Sequence, residues 1–83
     1  MSTSDFFQVG KLYQCNLQDL GLYLDKEHST HIACLSRGST IMVIEINDNN
    51  NIKILSNDKV GWFFCPQWGY EKYFKQIGES TDI

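Results

Sequence analysis

"IMVIEINDNNNIKILSNDKVGWFFC", residues 41–65, decides the fold class of this chain. It holds three apolar runs separated by two turn-forming clusters. The first run, residues 41–46, is rich in β-branched side chains and too short for an isolated helix, so it reads as a strand. Alternation sets Met42, Ile44 and Ile46 on one face and Ile41, Val43 and Glu45 on the other. The asparagine-rich residues 47–51 read as a hairpin loop. In the second run Ile52 and Ile54 share a face and Lys53 turns away. Ser56, Asn57, Asp58 and Lys59 supply turn chemistry, and residues 60–65 make a third strand. A meander of three antiparallel strands follows.

Working outward, the pattern weakens. Residues 7–15 can form a strand with Phe7, Val9, Tyr13 and Cys15 on one face. Leu20, Leu22 and Leu24 alternate with Gly21 and Tyr23. Residues 25–30 are polar and read as a loop, 31–35 as a further strand, and 36–39 as its closing turn. Downstream the period changes. Tyr70, Tyr73, Phe74 and Ile77 stand at i, i+3, i+4 and i+7, one face of a helix. Glu71 and Lys75 have the favourable i,i+4 order, and Gly78 sits where a C-terminal helix cap belongs. Two turns are not stable alone, so this helix must pack its aromatic face on the sheet. The tail, residues 79–83, is expected to fray, leaving an ordered core of about 6–78.

Eighty-three residues bound the chain to one domain, 1–83. The hydrophobic fraction of 42% and the mean hydropathy of -0.30 suit a soluble globular chain. No apolar run approaches the roughly 20 residues that span a bilayer, so no membrane partner is expected. The start, MSTSDFFQVG, carries no basic region and no apolar stretch, and the expected location is the cytoplasm. Net charge is -3 and the pI about 5.1. The seven basic residues are scattered, which disfavours nucleic acid, whose phosphates need clustered Lys and Arg. Three cysteines without a CxxC argue against a disulfide framework and for reduced thiols.

These elements describe a mainly β domain. "RGSTIMVIEI" (37–46), "NIKILSNDKVGWFFCP" (51–66) and "FQVGKLYQC" (7–15) together resemble a Src-homology-three-like barrel. The likeness implies a small antiparallel barrel of five to six short strands with one short C-terminal helix. Members that bind proline-rich peptides use a groove of Tyr, Trp and Pro with acidic neighbours, to which Tyr13, Asp25, Glu27, Pro66 and Tyr70 would correspond. The chain departs from that pattern where Asn50, Asn51 and Ile52 stand in place of the family's Trp. Likeness of fold does not carry function by itself.

Within residues 61–74 half of the positions are aromatic, against 13% for the whole chain. Trp and Tyr favour interfaces, so an uncovered part of this cluster would be a contact surface. The competing reading makes most of these rings core. The candidate partner-binding residues are Trp68, Tyr70, Trp62, Phe63, Tyr23 and Tyr13. They suggest a non-enzymatic accessory module that binds another protein, or itself as a homodimer. The alternative is a small nucleic-acid-binding barrel that stacks bases on its rings. A third reading is a zinc or thiol site on His28, His31 and Cys34, since zinc accepts imidazole and thiolate together. On a regular strand, however, His31 and Cys34 point to opposite faces. Cysteines inside apolar runs are poor nucleophiles, so no catalytic residues and no cofactor are assigned.

Overall fold

The computed structural model describes residues 6–25, 27–47 and 50–79. Among these, seven strands form one antiparallel sheet: β1 (Lys11–Cys15), β2 (Leu20–Tyr23), β3 (His31–Leu35), β4 (Thr40–Asn47), β5 (Asn51–Ser56), β6 (Lys59–Phe64) and β7 (Phe74–Glu79). Their order is β3-β2-β6-β5-β4-β1-β7. A 3-10 turn, Gln67–Gly69, runs directly into the one-turn helix α1, Tyr70–Tyr73, ahead of β7.

The meander is as the residues dictate. β4 pairs with β5 and β5 with β6. Asn57 and Asp58 both take positive φ, the two-residue hairpin geometry that matches strand twist. Ile41, Val43, Ile52 and Ile54 are fully buried. Ile46 packs on that core as well, because the β4–β5 register shifts between Val43 and Glu45. The middle of the asparagine loop, residues 48 and 49, lies outside the described residues, as does Lys26 of the 25–30 loop and most of the expected frayed ends. Glu79, assigned to the tail, is the last residue of β7.

Two expectations of the fold are corrected. The sheet has seven strands rather than five or six, and it is open: β3 and β7 are its edges and do not pair with each other. It nevertheless curls. Phe74 of β7 stacks on Phe63 of β6, ring centroids 5.3 Å apart, although three strands separate them in the sheet order. The seventh strand comes from the second correction. The helix expected over residues 70–77 ends after one turn, and residues from Phe74 onward pair with β1. A second helical turn satisfies few new backbone groups, whereas an edge beside β1 satisfies a whole row of them. A register shift opposite Leu12 and Tyr13 leaves Ile77 as the extra residue of a bulge. Ile77 is accordingly exposed, not part of a buried stripe.

Phe7 is the hub of the core. Its ring meets Tyr13, Phe63, Tyr70 and Phe74 with centroids 5.2 to 6.1 Å apart. The segment before β1 is thus a plug rather than a strand. Val9, expected to point inward with Phe7, is exposed, and Gly10 turns the chain with a φ of 86°. Tyr13 anchors the plug: its hydroxyl donates to the Phe6 carbonyl at 2.8 Å and accepts from the Gln8 N–H at 2.9 Å. Among the described residues no helix is long and apolar enough to cross a membrane.

Candidate interaction surface

The six aromatic candidates separate cleanly. Tyr13, Phe63 and Tyr70 are core, each with almost no exposed surface. They cannot contact a partner without unfolding, and a groove built on Tyr13 and Tyr70 is likewise closed. Asp25, another member of that groove, is committed to its own loop. It accepts from the Ser29 hydroxyl and from the Ser29 N–H, and these bonds hold its carboxyl below the usual range.

Trp62 lies on the opposite face of the sheet from the core. Register places it between Tyr23 of β2 and Lys53 of β5. The Lys53 ammonium stands 5.9 Å from its ring centroid, and the indole is only 8% exposed. This explains how consecutive residues Trp62 and Phe63 are both buried in one strand: each is covered on its own side. Tyr23 is half-buried between His28 and His31, at ring separations of 4.9 and 5.4 Å.

Trp68 is different, with 70% of its surface exposed. Its ring sits on the 3-10 turn, edge-on to Tyr73 with centroids 6.1 Å apart. Lys72 places its ammonium 5.9 Å from the Trp68 centroid and 5.3 Å from that of Tyr73. Gly69 makes the close approach of Tyr73 feasible, since a Cβ there would stand 3.1 Å from Tyr73 Cδ2. Lys72 also lines a neighbouring cleft of about 470 Å³, together with Glu71, Lys75, Gln14, Asn16 and Gln76. The result is one exposed indole, a supporting phenol ring, and a cleft of mixed lining, which includes Phe6 and Phe74, joined to them by one lysine. Tyr73 and Lys72 were not among the sequence candidates. The helical period set Tyr73 inward, and it does pack against the core, but a period carries no sign that its ring also braces Trp68 from the preceding turn.

The histidines and cysteines divide as well. Cys15 and Cys65 are buried thiols; burial raises both, and Cys65 is pushed up to about 12. Cys34 is exposed, and its Sγ lies 3.3 Å from His31 Nε2. The expectation that these two point to opposite faces is therefore corrected. Leu22 pairs with Ala33 but Tyr23 with His31, so Ile32 is an extra residue and the bulge restores His31 to the face of Cys34. His28 does not join them; its ring lies over Tyr23. Among the described residues no three His, Cys, Asp or Glu side chains gather as a metal-holding group.

Comparison of the chain with protein-family models, with curated proteins and with solved structures gives no match.

Proposed function

We propose that this chain is a non-enzymatic interaction module that engages a protein partner through Trp68, with Tyr73 and Lys72 as its support. The exposed indole carries the reading. A tryptophan that could have been folded into an aromatic core is instead set on a tight turn and braced from one side. Trp is among the residues that dominate interface energetics. Lys72 and Lys75 beside the cleft favour an apolar segment flanked by acidic residues. The buried, raised thiols Cys15 and Cys65 support a non-catalytic reading. The fold-level likeness to Src-homology-three-like domains belongs to this proposal too, supported by successive hairpins followed by a helical turn after Pro66.

Trp68→Ala tests the proposal. Melting and far-UV dichroism should stay within about 0.5 kcal/mol of the parent, as for an exposed site. Retention of a partner isolated from the native host should fall by roughly 2 kcal/mol or more, about thirtyfold, as for an interface hot spot. Unfolding of the variant, or equal retention by both proteins, would sink the idea.

A further inference from the structure

His31 and Cys34 lie on the outer face of β3, an edge strand that pairs with β2 alone among the described residues. Both are exposed. Their position is built rather than incidental: the Ile32 bulge brings them to one face, and Tyr23 meets the His31 ring edge-on at 5.4 Å. The Sγ to Nε2 separation is 3.3 Å. Two ligands of a tetrahedral zinc ion, with Zn–S near 2.3 Å and Zn–N near 2.0–2.1 Å, stand about 3.5 Å apart.

Among the described residues no third ligand joins them. His28 is turned to Tyr23, Asp25 is held by Ser29, and Cys15 and Cys65 are buried. A structural zinc site closes at four ligands, commonly two Cys and two His. We propose that His31 and Cys34 are half of a zinc site, completed by the same pair from a second copy of the chain. A two-fold axis beside β3 turns one imidazole and one thiolate per chain into a closed Cys2His2 set. The bulge interrupts the regular ladder of this edge, so backbone pairing alone is a poor glue and the metal is the clip. Ile32, half-exposed on the other side of the edge, adds apolar surface for the second copy to cover. This site uses β3 and is independent of the Trp68 surface, so either can fail without the other.

The test uses the whole chain without a histidine tag, metal-free, kept reduced, and zinc ion alone as probe. Sedimentation should show a monomer that becomes a dimer at one zinc per two chains and reverts on chelation. Cobalt(II) in its place should give the near-ultraviolet absorption of a thiolate-bound metal together with tetrahedral visible bands. Cys34→Ser and His31→Ala should each abolish dimerisation while keeping the parent far-UV spectrum. His28→Ala should behave as the parent. The proposal is overturned by zinc binding to a monomer, by a dimer that ignores zinc or survives both ligand variants, by loss of the dimer in His28→Ala, or by absence of zinc binding.

Discussion

The Tyr70 hydroxyl donates to Asn50 Oδ1 at 2.7 Å, tying α1 to the β4–β5 hairpin twenty residues earlier in the chain. Asn50 holds a φ of 63°, a conformation that asparagine tolerates better than most residues. The bond therefore joins a buried ring to a turn whose shape is already set. Its strength can be read by Tyr70→Phe, which keeps the ring and removes the donor. The variant should lose about 0.5–1.5 kcal/mol, more if the abandoned oxygen stays dry. For a domain of this size that is a fall in Tm of about 4–8 °C per kcal/mol. An unchanged Tm would mean that water replaces the hydroxyl without loss.

Gly61 of β6 lies tight against β2. A Cβ added there would lie 2.9 Å from Leu22 Cβ and 3.2 Å from the Tyr23 carbonyl oxygen. Neither neighbour is the free end of a flexible chain, so β2 itself must move. Gly61→Ala should destabilise by about 1–3 kcal/mol, the usual cost of overpacking. Gly38→Ala is the instructive contrast: nothing stands near its added Cβ, and the cost there comes from a φ of 92°. Urea titration of both variants checks the two costs, and a Gly61→Ala variant as stable as the parent would contradict the close approach of β2.

The C-terminal element distinguishes strand from helix by mutation. On a helical stripe Phe74 and Ile77 would be equally buried. In β7 Phe74 is core and Ile77 is the exposed bulge residue. Phe74→Ala should cost about 3–5 kcal/mol, a large share of the stability of a small domain. Ile77→Ala should fall within about 0.5 kcal/mol of the parent. Comparable losses at the two positions would contradict the strand.

The thiols should respond unequally to reagents and to alkali. In the native protein a small disulfide reagent should label Cys34 rapidly and reach Cys15 and Cys65 only on unfolding, since these are buried. Burial, with a smaller push from Cys15, raises Cys65 to about 12 from an ordinary 9.0. Between those values the unfolded chain has lost the thiol proton and the folded chain retains it. Stability from this group is therefore complete below about pH 9 and declines as pH rises toward 12. Cys65→Ala should show a shallower alkaline loss than the parent when urea midpoints are compared from about pH 8 to about pH 11.

What the sequence revealed and what it hid follow one rule. Elements specified by neighbours in the chain were legible. β4, β5 and β6 carry their own alternation, their own β-branched residues and their own turns, and the meander forms as read except that the shift between Val43 and Glu45 moves Ile46 to the core face. Elements specified by what they lie against were not. Residues 74–77 have a helical period, but the free edge of β1 outweighs it. Ile32 looks like any strand residue, and only pairing with β2 shows that it is inserted, which is what brings His31 to Cys34. Phe6 and Phe7 gave no sign that they fill the core from outside the sheet. Among the rings, composition marked the aromatic-rich segment but could not sort core from surface within it, because inward or outward placement is decided by cross-strand partners such as Lys53 for Trp62.

The two tryptophans have a further use. One is sheathed by a lysine and a tyrosine and the other stands in water, so their emission should differ in colour and in access to a soluble quencher. Each fluorophore lies in a separate region of the molecule. The chain thus carries two built-in optical gauges: a blue-shifted one that reports the integrity of the sheet, and a red-shifted one that reports occupancy of the surface around Trp68.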